Sequence, residues 1–266
     1  MRRILAAVFL CAGGWGSPGP AISEEANPLA AYEKSVFSQA GEDGVIQRIF
    51  TLIEPRTKFA VEFGAGNGVR NSNMRNLVVN HGWATLQIEG NPHRYRELEK
   101  NYAKYPTTKT LRAWIWPGNI ETLFEDNGVP TDLDYLVIDI DSNDYYVWKV
   151  IHDFRPAVVQ IEYSSLFPPP KRAVIAYHPF NYWDGSTYAG ASMQSLYELG
   201  KRKGYELVYA NGINMIFVES QYFDRFAISD NSPARFFTPY EGKMDPGAPT
   251  LEFEGGKIQK KWIEGR

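Results

Sequence analysis

Val61-Glu62-Phe63-Gly64-Ala65-Gly66-Asn67-Gly68 is the stretch on which the fold turns. It runs from a short apolar segment into three glycines at alternate positions, where a buried strand should give way to a helix. Without Cβ atoms the backbone here turns sharply and a ligand can approach it closely. The spacing differs from the G-x-G-x-x-G of dinucleotide enzymes, and such a turn also occurs as a plain chain reversal. The next apolar run, Leu86-Gln87-Ile88, ends in Glu89. That acid lies about twenty-five residues beyond the turn, where doubly wound folds place a carboxylate to accept hydrogen bonds from a ribose diol. Taken by itself, Glu89 also reads as a solvated acid at a strand end.

Outward from this stretch, short apolar runs alternate with amphipathic ones, the pattern of a mostly parallel sheet covered on both faces. Strands are predicted at Lys58 to Phe63, Ala84 to Ile88, Lys109 to Ile115, Tyr135 to Ile140 and Ala157 to Ile161. Helices are predicted at Asn73 to Asn80, His93 to Tyr105, Ile120 to Glu125 and Tyr145 to Phe154, the last with Asp144 as N-cap. A further helix, Ser192 to Lys203, ends at Gly204 with three basic residues in its last turn, favourable for both capping and the helix dipole. Two β-rich runs, Tyr205 to Ala210 and Asn214 to Glu219, flank Asn211-Gly212 and read as a hairpin. The fold class is therefore α/β, a doubly wound, mostly parallel sheet ending in an antiparallel hairpin. Residues 30–225 make up this domain, and 231–266, rich in Gly, Pro and charge, form an arm or loosely ordered tail. Ser38-Gln39-Ala40-Gly41-Glu42-Asp43 precedes a helix through Phe50; its polar groups either cap that helix or line a pocket.

A second cluster is acidic. Asp139 and Asp141 share a face by strand periodicity, Asp144 follows, and Glu162 ends the neighbouring strand, so all four should open into one crevice. Carboxylates so crowded repel unless a cation, protons or a bound amine compensates them. An all-oxygen set suits Mg²⁺, Mn²⁺ or Ca²⁺, with Asp139, Asp141, Asp144 and Glu162 as ligands; His178, on the following loop, would extend the choice to Zn²⁺ or Fe. Asp139, Asp141, Glu162 and His178 are the candidate catalytic groups. The alternatives are a cap for Asp144 and solvated surface for the loop residue Asp184. The aromatic loop Leu166 to Trp183 reads as a substrate cover, with Tyr177, Tyr182 or Trp183 stacking on a ring, or as a loop packed on the core.

A parallel sheet closed by an antiparallel hairpin is a mark of class I S-adenosylmethionine-dependent methyltransferases, which are Rossmann-like. Within that class, Phe37 to Gly44, Val61 to Asn73, Gly82 to Glu89, Ile138-Asp139-Ile140-Asp141, Ile161-Glu162-Tyr163 and Trp183 through Ser192 to Tyr205 resemble the FkbM-type methyltransferase family. The resemblance runs over roughly residues 35 to 220, in the family's order. It implies that Glu62, Gly64 and Gly66 contact the methionine end of S-adenosylmethionine, that Glu89 binds the ribose, and that Ala113 or Trp114 lies near the adenine. It also implies O-methyl transfer to a saccharide or small metabolite.

Composition narrows the partners. The chain has 266 residues, 44% hydrophobic and 14% aromatic, with net charge −3 and no basic face, so nucleic acid is not expected. Arg2-Arg3 and the apolar run Ile4 to Ala12 predict an export signal over residues 1–24, too short to span a bilayer. Cleavage would remove Cys11, the one cysteine. The mature chain is then expected outside the cytosol, secreted or periplasmic; a misplaced start codon before a cytoplasmic protein is the alternative. Because S-adenosylmethionine is made in the cytosol, export also supports a reading of another class, a binding protein or metal-dependent hydrolase reusing the fold.

Overall fold

Alternate residues of the central strands point to opposite faces, and both faces are apolar. Val61, Phe63, Leu86, Ile88, Leu136 and Ile138 fill one core; Ala60, Tyr135, Val137, Val158, Ile216 and Val218 fill the other. Strands buried on both sides read as continuous apolar runs, and the chain must supply helices to both faces. The structure, a computed structural model, describes residues 27–239, 241–242, 250–253 and 256–265. The expected signal segment and Cys11 lie outside the described residues.

After a 3₁₀ turn at Ala30–Tyr32 come α1 (Glu42–Ile53), β1 (Phe59–Phe63), α2 (Arg75–His81) and β2 (Ala84–Glu89). Next are α3 (Pro92–Tyr102), β3 (Thr108–Arg112), α4 (Ile120–Asp126), β4 (Tyr135–Ile138) and α5 (Asp144–Val150). They are followed by β5 (Val158–Glu162), a short β6 (Val174–Ile175), α6 (Met193–Arg202), β7 (Tyr205–Ala210) and β8 (Asn214–Glu219). The C-terminal part holds a 3₁₀ segment Ser220–Phe226, α7 (Pro233–Phe236), β9 (Thr250–Phe253), β10 (Gly256–Gln259) and β11 (Trp262–Ile263).

The seven-stranded sheet has the order β3-β2-β1-β4-β5-β8-β7. Strands β1 to β5 are parallel, and β8 runs antiparallel between β5 and β7. This is the expected Rossmann-like, doubly wound sheet closed by a hairpin. Strand order reverses between β1 and β4, so the ligand crevice of such a sheet opens above the carboxyl ends of those two strands. No helix among the described residues is long and apolar enough to cross a membrane.

Several boundaries differ from the sequence reading, each for a local reason. β3 stops at Arg112, and Ala113 to Ile115 leave the sheet as a loop. β4 stops at Ile138, so Asp139 and Asp141 do not share a strand face; Asp141 sits at φ +55 in the left-handed region. Asp144 is the first residue of α5, not its cap, which is Asn143. The Asp144 carboxylate turns back to accept from the Ile140 and Ser142 amides, both at 2.8 Å. α5 ends at Val150, four residues early, with Ile151 extended ahead of Pro156.

Among the described residues of 231–266, Trp262–Ile263 join the body of the fold as an arm would. β11 pairs with β6, and the Trp262 ring stands 4.7 Å from Phe167 and 5.3 Å from Tyr188. The Ser38–Asp43 segment folds on itself. Asp43 Oδ2 accepts from the amides of Val36, Phe37 and Ser38 at 2.7 to 2.9 Å, and Ser38 Oγ accepts from the Asp43 amide.

The turn after β1 decides how the strand ends meet. Gly64 has φ +78, and a Cβ there would lie 1.5 Å from the Asp139 carbonyl oxygen, an overlap with backbone that side-chain motion cannot relieve. Gly66, at φ +57, would put a Cβ into open space. Gly64→Ala should therefore cost more than about 3 kcal/mol, the range of severe single substitutions. Gly66→Ala should cost only the left-handed strain of about 1–2 kcal/mol. Urea unfolding of the two variants measures this, and equal losses would contradict it.

Candidate functional site

The crevice at the switch point contains two cavities. The first, of about 320 Å³, opens above β1, β2 and β3. Gly64, Glu89, Ala113 and Trp114 border it, together with Arg94 and Asp141. Its size falls in the range of small-ligand sites. The second, about 270 Å³, lies above β5 and the loop after it, against Asp141, Glu162, Ser164, Trp183, Ser186 and Thr187. Asp141 and Trp183 belong to both linings, so the two cavities meet there.

Glu89 is fixed by main-chain donors. Its Oε2 accepts from the Gly66 amide at 2.8 Å and its Oε1 from the Asn91 amide at 2.6 Å. Each carboxylate oxygen has a second lone pair, so the group retains accepting capacity toward the cavity. Asn91 then caps α3, its side chain accepting from His93 and Arg94, which sets Arg94 at the cavity wall. Ile88, Ala113 and Ile115 make an apolar wall, and the Trp114 indole is fixed by donating to the Pro179 carbonyl at 3.1 Å.

Two of the residues expected at the cofactor do not border this cavity. Gly66 contributes its amide to Glu89 instead. Glu62 lies on the other face of β1, buried, where it accepts from the Asn73 amide at 3.2 Å and the Ser72 hydroxyl at 3.5 Å. Burial pushes the Glu62 carboxyl up to about 7, against the hydrogen bonds from Asn73 and Ser72. The period-two alternation that puts Val61 and Phe63 into one core puts Glu62 into the opposite one.

The acidic cluster is real in space but smaller than expected. Among the described residues, Asp139, Asp141 and Glu162 bring carboxylate oxygens within 4.8 Å of one another. Neither Asp144 nor His178 joins them. Both Asp144 oxygens are engaged by the loop amides described above. The His178 ring takes the Phe180 amide at 3.3 Å, and its carbonyl accepts from Asn143 at 2.9 Å. Without the histidine the donor set is all oxygen, which favours Mg²⁺, Mn²⁺ or Ca²⁺ over zinc or iron.

The three carboxyls keep partial surface exposure yet sit in a poorly solvated recess. Burial pushes Asp139 and Glu162 well above the usual carboxylate range, and the charges of their acidic neighbours push the same way. Asp141 is also raised by burial, with offset from a hydrogen bond to Glu162 and from the Arg94 charge. Asp144 is pushed up to about 6 by burial, against its amide hydrogen bonds.

Sequence reasoning missed Asn91 and Arg94 at the first cavity and Ser164, Ser165, Ser186 and Thr187 at the second. The Asn91-Pro92 pair was a readable helix start. The hydroxyl residues belong to irregular loops with no period to betray them.

No family model matches the chain, and no curated protein matches it. Similar solved structures include the N-terminal domain of EvdMO1 with SAH bound, at 15% identity, covering 69% of this chain and 82% of that one, with TM-score 0.45. The CcbJ methyltransferase from Streptomyces caelestis is 8% identical, covers 65% and 88%, and has TM-score 0.40. An S-adenosylmethionine-dependent methyltransferase from Clostridium acetobutylicum is 10% identical, covers 66% and 89%, and has TM-score 0.42. At that distance the residues of the crevice have to speak for themselves.

Glu62 yields a signed test. A carboxyl raised from an ordinary 4.5 to about 7 on folding opposes folding by about 3 kcal/mol once ionised. The folded state binds more protons, so stability falls as pH rises from the unfolded value through the folded one. Glu62→Gln should remove that part of the fall between pH 5 and 8, leaving the protein more stable than wild type at pH 8. Urea titrations across this range measure the difference; parallel pH curves would contradict the assignment.

Proposed function

We propose that the chain is an S-adenosylmethionine-dependent methyltransferase that transfers a methyl group to a hydroxyl oxygen. The observation that carries the reading is the junction of two cavities at Asp141 and Trp183, one suited to a nucleoside and the other lined by hydroxyls and carboxyls. The residues of the first cavity fit the donor. Glu89 is held to accept from a ribose diol. The apolar wall of Ile88, Ala113 and Ile115, with Trp114, suits an adenine ring. Gly64 opens the floor between them. The FkbM-type resemblance in the sequence is the narrower form of this reading, and it makes a saccharide or small metabolite the acceptor.

The transfer asks two things of the protein: in-line placement of the acceptor oxygen and removal of its proton. S-adenosylmethionine, held by Glu89, Trp114 and the Gly64 turn, would supply an electrophilic methyl group and a neutral thioether as leaving group. Asp141 stands where the cavities meet, and Asp139 and Glu162 are beside it. A carboxylate whose affinity for protons is raised by burial is a stronger base near neutral pH than one in water. We assign proton acceptance to this trio, with Asp141 foremost. The same oxygens would suit a divalent cation that orients the acceptor hydroxyl, in which case Asp139, Asp141 and Glu162 are its ligands.

Calorimetric titration with S-adenosylhomocysteine tests the donor assignment. Wild type should bind, and Glu89→Gln should weaken binding by about 1.5–3 kcal/mol, as for hydrogen bonds to a charged group. Glu162→Gln, at a residue that borders only the second cavity, should leave affinity within about threefold, under 1 kcal/mol. A wild-type protein that gives no saturable heat would overturn the reading.

A further inference from the structure

The second cavity owes one wall to a short loop, and that loop is held by a part of the chain far away in sequence. Trp183 is half exposed and borders both cavities; its indole donates to the Ser186 carbonyl at 2.8 Å. Asp184 Oδ1 accepts from the Ser186 amide at 3.1 Å. The turn is thus closed locally, and its Asp184 and Ser186 side chains are also tied to a distant segment. The tie is Lys260, whose ammonium pairs with Asp184 Oδ2 and donates to Ser186 Oγ at 3.2 Å. The Lys260 side chain is only 5% exposed.

The lysine is itself well anchored. The adjoining Lys261 amide donates to the Tyr188 hydroxyl at 2.9 Å, and the Lys261 carbonyl accepts from the Ala176 amide at 2.9 Å. β11 then pairs with β6, and Trp262 packs between Phe167 and Tyr188. A lysine taken out of water is costly, and apolar packing would generally hold two segments together at least as well. What the ion pair adds is direction: three donors on one nitrogen fix both Asp184 and Ser186 at once.

We propose that the C-terminal segment completes the two-cavity site, with Lys260 as a positioning residue that holds Trp183 as the shared wall. The donor-side part rests on the function proposed above. If the loop is released, the wall is in place only part of the time, and apparent affinity falls by that fraction. Lys260 touches neither cavity, so its effect must pass through Trp183 and Ser186.

The test uses the whole chain, with Lys260→Met, Lys260→Arg and wild type compared in two measurements. Amide hydrogen exchange at Ser186 and Tyr188 should quicken in Lys260→Met and return toward wild type in Lys260→Arg, which keeps a cation. Affinity for S-adenosylhomocysteine should drop about tenfold in Lys260→Met, as for a wall ordered a tenth of the time, and recover in Lys260→Arg. Faster exchange with unchanged affinity would overturn the positioning role, and unchanged exchange would overturn the clamp itself. If wild type does not bind the probe, the function proposed above fails, while the exchange comparison still decides whether Lys260 holds the loop.

Discussion

The arrangement depends on one close approach, that of the Asp139 carbonyl to Gly64, where no side chain could fit. Gly64 follows β1 and Asp139 follows β4, the two strands between which the sheet order reverses. Because they pass so near, the chain leaves both strands in a fixed relation, and the crevice between them has a defined floor. From that floor the Gly66 amide reaches Glu89 at the end of β2. On the other side, the segment after β4 brings Asp139 and Asp141 to Glu162 at the end of β5. The Glu89 half and the acidic half of the crevice are thus registered to one another through backbone.

Carboxylates at the two ends of this sheet are held in different ways. Asp134, at the amino end of β4, accepts from the amides of Arg56, Thr57 and Lys58 at 2.6 to 2.7 Å and from the Thr57 hydroxyl, with the Arg56 guanidinium close by. It is a structural joint, with its charge spread over main-chain donors. Asp139, Asp141 and Glu162 face one another instead. Burial raises the proton affinity of all three, and the charges of acidic neighbours add to it at Asp139 and Glu162, whereas at Asp141 the hydrogen bond to Glu162 and the Arg94 charge work against it. Shifted proton affinities of this kind are commoner at sites that bind or react than elsewhere, and it is on this ground that proton acceptance is proposed for the trio.

The sheet was legible in the sequence because every strand carries its own signal. Tyr205 to Ala210 and Asn214 to Glu219 form β7 and β8 with the expected bounds, and Leu86 to Glu89 lies in β2. Glu89 could be placed because a strand end is a position counted along the chain. Glu62 and Asp144 were harder. The face on which Glu62 falls depends on which core each side of the sheet acquires, and Asp144 was spent on loop amides that no pattern announces. His178 was drawn toward the cluster by proximity in sequence, whereas its loop carries the ring elsewhere. The second cavity was not legible, since Lys260 and Asp184, which together set its wall, are 76 residues apart. Contacts of that separation leave no periodic trace.

On the proposed function, the crevice above β1, β2 and β4 holds an S-adenosyl donor with its sulfur directed toward the carboxyl trio. A crystal structure of the protein with S-adenosylhomocysteine addresses it directly. The ribose hydroxyls should lie on Glu89, the adenine against Ala113 and Trp114, and the sulfur at the junction marked by Asp141 and Trp183. Binding in another place, or in this cavity with the sulfur turned away from Asp141, would contradict it.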